Sequence, residues 1–371
     1  MPEHFDSLSF HSETAVVTGT THGLGLAFCD ELVHRHIGTL IMGVRNVKRG
    51  EEIKANLLEK SKSIAGSSNV VIHVVELQMG DFESVKAFSD LVKAHTRTID
   101  IVLLNAGVGG HDFQITQSGH ERIMQVNVYS NALLVLELLP LLEETATLKS
   151  RPSRLTWVGS FVQMNHSLVK QPVPGDRPVM EYLDDKLFFD GRSRYQDSKL
   201  IGSMVMKQMA RRIDKNSVIL NEVSPGPVWT NFGAVYPFYL RVLFGIKVFL
   251  SSKPNSLSEG TSRYLHAIAL VGKESHGSYI SDYNIAHVVC ILPSIPDVGH
   301  ESTALSFVGN LTGFVNVSLV YKTTFTRPAS LDEVRGSGPW GANIIAAAGG
   351  SRQPPARKRG RPRSIRPPSN R

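Results

Sequence analysis

Residues 14–28 read Thr14-Ala15-Val16-Val17-Thr18-Gly19-Thr20-Thr21-His22-Gly23-Leu24-Gly25-Leu26-Ala27-Phe28. The β-branched run Thr14 to Thr18 predicts a buried strand, Gly19, Gly23 and Gly25 predict a tight turn, and Leu26 opens an apolar pattern of helical period through about His34. Strand, glycine turn and helix in that order begin a parallel α/β sheet. The turn carries chemistry as well. Glycine lets the backbone come close to a pyrophosphate, and the unpaired N–H groups at a helix N-terminus favour an anion. Gly19, His22, Gly23, Leu24 and Gly25 are therefore candidate nucleotide contacts. Their spacing, Gly-x-x-x-Gly-x-Gly, differs from the Gly-x-Gly-x-x-Gly dinucleotide fingerprint.

Outward from this stretch, strand and helix patterns alternate to about Ser281. Helices are expected near Gly25 to His34, Val47 to Ser61, Phe82 to Lys93, Gly119 to Leu142 and Asp197 to Arg212. That alternation predicts a doubly wound, Rossmann-type parallel sheet in a single α/β domain, with helices on both faces. Ligands of such sheets bind outside the carboxyl ends of the strands. Residues just past a strand are thus the natural contacts: Asn105-Ala106-Gly107 after Ile101 to Leu104, and Ser160 at the end of Arg154 to Ser160. Tyr195 and Lys199 stand four residues apart, one above the other on a helix face. A nearby ammonium favours the phenolate, which would bring a phenol of ordinary pKa near roughly 10 within reach of general acid–base work.

These residues resemble the short-chain dehydrogenase/reductase family. The motifs are Thr18 to Gly25, Asn105 to Gly107, Asn127, Ser160, Tyr195 with Lys199, and Pro225-Gly226-Pro227-Val228-Trp229-Thr230, in the family's order over about Glu13 to Tyr283. Val44-Arg45-Asn46 and Gly277-Ser278-Tyr279-Ile280-Ser281-Asp282 look most like its retinol-dehydrogenase-like branch. The resemblance implies that Tyr195 donates a proton to a carbonyl as a nicotinamide delivers hydride, or accepts one in reverse. It implies that Lys199 holds the nicotinamide ribose and lowers the Tyr195 pKa, and that Ser160 hydrogen-bonds the reacting oxygen. Asn127 would anchor a water relay, Asn105 and Ala106 would line the adenosine ribose, and Thr230 would meet the carboxamide or phosphate. Gly107, Pro225, Gly226 and Val228 complete the cofactor set.

Cofactor choice is argued from charge. An acid after the second strand suits NAD, an arginine NADP. Thr39 to Met42 leads into Gly43-Val44-Arg45, followed by Lys48 and Arg49, and no carboxylate precedes Glu51. NADPH is favoured over NAD, with Arg45 the phosphate contact and His22 a weaker one. One departure concerns adenine: Gln78 stands where the family usually has an aspartate.

The segment Phe161 to Arg194 is longer than the family's usual interval and, with Pro172, Pro174, Gly175, Asp176 and Pro178, reads as an inserted loop. Gly233 to Leu250, broken by Pro237, Arg241 and Lys247, falls short of the roughly 20 residues that span a bilayer. By the resemblance it is the lid over the substrate. Val235, Tyr236, Phe238, Tyr239, Leu240, Leu243, Phe244 and Phe249 would make it apolar and suit a steroid, terpenoid, retinoid or polyketide carbonyl. Core packing, a dimer contact and shallow membrane-surface insertion are the alternatives.

The chain has 371 residues and a net charge of +7. Eight of its 40 basic side chains and none of its 33 acidic ones lie in Ser351 to Arg371, so the basic character belongs to that tail. Three parts are expected: a domain over residues 1–285, an extension of unknown structure over 286–350 and a disordered basic tail over 351–371. Lys358-Arg359-Gly360-Arg361-Pro362-Arg363 resembles an AT-hook, the minor-groove binder of A·T-rich DNA. A solvated tail or a nuclear-targeting signal is the preferred reading. Two cysteines, Cys29 and Cys290, are too few for a disulfide framework or a typical metal site, which fits a reducing compartment. Met1 to His11 is polar without a long apolar core, so no leader and a cytoplasmic location are expected. The resemblance implies a homo-oligomer through two long helices, Gly119 to Leu142 and Asp197 to Arg212, or a monomer, and both stay open. Two functions remain: an NADPH-dependent reductase or alcohol dehydrogenase of apolar substrates, or a silent NADPH-binding scaffold whose tail contacts DNA.

Overall fold

The computed structural model describes residues 5, 7–64, 70–168, 170–174, 177–228 and 255–286. Thr230, the expected lid, the 286–350 extension beyond Ala286 and the basic tail with its AT-hook-like segment lie outside the described residues.

Eight strands form one sheet: β1 (Thr14–Thr18), β2 (Thr39–Val44), β3 (Val71–Glu76), β4 (Ile101–Leu104), β5 (Ser153–Val158), β6 (Val218–Val223), β7 (Tyr279–Ser281) and β8 (Asn284–Ala286). The order is β3-β2-β1-β4-β5-β6-β7-β8. All neighbours run parallel except β7 and β8. The antiparallel edge strand β8 departs from the all-parallel expectation. It arises because Asp282 and Tyr283 both take positive φ, 48° and 65°, and turn the chain back on β7. Central strands β1, β4 and β6 are buried at every residue, as a sheet covered on both faces requires.

Helices α1 (Gly23–His34), α2 (Val47–Lys62) and α7 (Leu257–Leu265) pack together, with Phe28, Leu32 and Tyr264 in the core beneath them. Helices α3 (Phe82–His95), α4 (Arg122–Lys149) and α6 (Arg194–Ala210) form the other layer. Helix α4 starts at Arg122 rather than Gly119, because Glu121 caps it through Ile123 N and Met124 N while Gly119 sits at φ +84° in the preceding turn. It passes Pro140 and ends only where Ser150 adopts φ 52°. Long and apolar enough to cross a membrane, α4 has 83 % of its most apolar window buried, as a core helix does.

Between Phe161 and Arg194 the expected loop carries short helical pieces, Phe161–Asn165, α5 (Val179–Asp184) and Lys186–Phe188. Its aromatic residues hold it together: Tyr182 stacks on Phe188 at 4.6 Å, Phe189 meets Phe113 edge-on at 5.4 Å, and Arg177 and Arg194 lie 5.3 Å over Phe188 and Phe189.

Candidate active site

The chain reverses its direction of travel across the sheet between β1 and β4, so the carboxyl ends of these two strands flank a crevice. Gly19, at the end of β1, has φ +70°, which favours glycine. Gly25 is required by contact: a Cβ there would overlap the Gly19 carbonyl and the Asn105 amide. Asn105 pins the turn, its Nδ2 donating to Thr18 O at 3.0 Å and Gly19 O at 3.2 Å while its Oδ1 accepts from Tyr264 Oη at 3.1 Å. Ala106 N donates to Thr18 Oγ1 at 2.9 Å. The Asn105 side chain thus ties β1, β4 and α7 together at the crevice. The fully buried Tyr264, whose phenol is pushed well above its ordinary pKa by burial, was not foreseen in the sequence.

The site fits a dinucleotide. Helix α1 opens at Gly23 with no side-chain cap from the exposed His22, so its first N–H groups remain available to an anion. Leu24 packs toward Gly260 of α7. Arg45 is exposed just past β2, whereas Arg49 is paired with Glu52 at 2.9 Å inside α2. Gln78 donates its Nε2 to Arg45 O and to Glu76 Oε1, both at 3.2 Å, which leaves Oε1 as its acceptor. Gly226 has φ +75°, Pro225 O accepts from Arg263 Nη1 at 3.2 Å, and Val228 bridges to Asn255.

The candidate acid–base residues stand on α6 and just past the carboxyl end of β5. Strand β5 ends at Val158, two residues earlier than the sequence suggests, and Gly159 and Ser160 leave the sheet. Ser160 is half-buried and caps the Phe161–Asn165 turn. Helix α6 begins one residue before Tyr195. Lys199, 7 % exposed, donates Nζ to Val158 O at 2.8 Å and lies 5.7 Å from the centre of the Tyr195 ring. Burial lowers its pKa to about 8, and the Glu222 charge opposes that shift. Asn127 sits where α4 widens into a π turn over Gln125–Tyr129. Its Oδ1 accepts from Val108 N at 2.8 Å, and its Nδ2 donates to Val108 O and Ser198 Oγ, both at 2.9 Å. Ser198 Oγ in turn donates to Tyr195 O at 2.7 Å. The Asn127 amide therefore couples the loop after Gly107 to the start of α6. Ser167 is held by the buried Asp197, through N at 2.7 Å and Oγ at 2.9 Å, and so anchors the Ser160 turn to α6.

A cavity of about 300 Å³ lined by Gln171, Tyr182, Leu187, Phe188, Phe189 and Asp190 contains none of these residues and is separate from the crevice.

The family model for short chain dehydrogenase matches residues 13–160. The chain is 37% identical over 281 residues to the short-chain dehydrogenase/reductase tropG of Talaromyces stipitatus, covering 76% of this chain and 85% of that one. It is 35% identical over 283 residues to the short chain dehydrogenase yanD of Aspergillus niger, with the same coverage of 76% and 85%. The chain belongs to the short-chain dehydrogenase/reductase family. The fold agrees with the NADPH-bound carbonyl reductase from chicken fatty liver, at TM-score 0.52 and 18% identity over 73% of this chain and 92% of that one.

Proposed function

We propose that this oxidoreductase is an NADPH-dependent carbonyl reductase, or alcohol dehydrogenase in the reverse direction, acting on an apolar substrate. The observation that carries the reading is the buried Lys199, bonded to the carbonyl that ends β5 and lying beside Tyr195, next to the strand end that leads to Ser160. A bound nicotinamide supplies the hydride. Tyr195 gives the proton to the substrate oxygen, Ser160 hydrogen-bonds that oxygen as charge develops on it, and the Lys199 ammonium favours the phenolate left behind. NADPH over NADH rests on the exposed Arg45, with no acid at the end of β2.

The apolar substrate rests on the sequence of the expected lid. Membership of the retinol-dehydrogenase-like branch and a cytoplasmic location belong to the same proposal. The silent DNA-contacting scaffold has no supporting observation.

The test is oxidation of NADPH, followed optically, against a panel of apolar ketones and aldehydes with NADH as control. Turnover with NADPH, faster than with NADH, is expected; tight NADPH binding with no turnover across the panel would contradict the reading.

A further inference from the structure

The proposed chemistry makes no use of Glu222, a carboxyl on the central strand β6 with 1 % exposure. Strand register sets it between Trp157 of β5 and Tyr279 of β7. Its Oε1 lies against Gly159, where any Cβ would overlap it. Its neighbour in sequence order along the same peptide, Val158, is the residue whose carbonyl holds the Lys199 ammonium. The ammonium therefore holds the Val158 carbonyl while the carboxyl packs against Gly159, the next residue on the way to Ser160.

The hydrogen bonds around Glu222 show an unusual count. Ser203 Oγ touches Glu222 Oε2 directly and lies 2.6 Å from Gln163 Oε1. A hydroxyl has one proton, and here it faces two acceptors. On its other side the Gln163 side chain faces the Tyr279 phenol. A proton on Glu222 resolves this: the carboxyl donates to Ser203 Oγ, which donates to Gln163 Oε1. With that proton gone, Ser203 must donate to the carboxylate, and the Gln163 amide must reverse to donate to Ser203. The row Gln163–Ser203–Glu222 has two arrangements that differ by one proton. The other titratable groups facing the pair are Tyr279 from β7 and Tyr195 from α6.

We propose that Glu222 is a positioning residue for Lys199: a buried carboxyl that releases its proton to solvent as pH rises, so that its negative charge keeps Lys199 Nζ protonated and bonded to Val158. The only bond broken is the Glu222 O–H, and Lys199 retains its three N–H bonds. Burial lowers the Lys199 pKa, and Glu222 is the group whose charge opposes this. Burial likewise raises the Glu222 pKa, to about 7, in keeping with a proton held there below neutrality. The proposal rests on the reading of Lys199 as the residue that holds the cofactor.

Glu222→Gln preserves the shape and the Ser203 contact while removing the charge. Two measurements test it. Infrared difference spectra of the wild type against Glu222→Gln should contain a carboxylic-acid C=O band that fades as pH rises. NADPH affinity, read from nicotinamide fluorescence, should fall on the alkaline side at a pH lower by roughly one unit in Glu222→Gln, the shift expected from losing an opposite charge nearby. A purely structural role would weaken binding evenly at all pH. Absence of the infrared band, or superimposable alkaline limbs, would overturn the proposal. If the wild type binds NADPH but reduces no carbonyl, the reductase reading fails while both measurements still decide the role of Glu222.

Discussion

A lysine ammonium at 7 % exposure and a carboxyl at 1 % make folding itself pH-dependent. Glu222 holds its proton in the folded chain up to about 7, against an ordinary 4.5, so between these values the folded state binds more protons and stability falls as pH rises. Lys199 has the opposite sign: its folded pKa of about 8 lies below the ordinary 10.5, so the unfolded state binds more protons in that window and stability recovers there. Urea midpoints measured across pH should therefore decline through the first window and rise through the second. In Glu222→Gln the first decline should shrink, by an amount on the order of 1–3 kcal/mol. A flat profile would contradict the burial of both charges. Arg45 makes a separate prediction. As a phosphate contact it is worth roughly ten- to a hundredfold in affinity. Arg45→Ala should lose that much NADPH affinity with NADH affinity little changed, as equilibrium fluorescence titrations of the two cofactors would show.

At the scale of elements, the crevice depends on two ties. One joins β1, β4 and α7 through Asn105, and the other joins the Ser160 turn to α6 through Asp197. Asp197→Ala removes two acceptors for Ser167, at a cost of about 1–3 kcal/mol. It should lower kcat several-fold while NADPH affinity is retained, because the glycine turn lies outside this tie. Steady-state kinetics beside binding titrations would check this. The glycine turn, the ends of β1 and β4 and the presence of α6 were legible because each depends on residues close in sequence: β-branched runs, glycines and a four-residue spacing; the end of β5 and the start of α6, at Arg194 rather than the expected Asp197, were not. Glu121 as the cap that delays α4 to Arg122 was less so, since Gly119 reads equally as a helix start or a turn. Ser198, Tyr264 and Glu222 were not legible. Their partners are 71, 159 and 19 residues away, and only the packed sheet brings them together.

For the molecule as a whole, a single sheet gathers from residues 19–228 nearly every group proposed for the reaction. Deleting Ser351 to Arg371 should therefore leave NADPH oxidation unchanged, whereas a scaffold working through its tail would lose its partner. The alternation of strand and helix fixed the doubly wound architecture in advance. Pattern alone did not anticipate the antiparallel β8, because it depends on two consecutive residues, Asp282 and Tyr283, adopting positive φ. The central claim is that Tyr195 transfers the proton in a site that binds the cofactor independently of that hydroxyl. The most direct measurement compares wild type with Tyr195→Phe, recording NADPH affinity and carbonyl reduction on the same preparations. Unchanged affinity with turnover reduced at least about a hundredfold is the predicted result. Turnover that survives the loss of the hydroxyl would contradict the account.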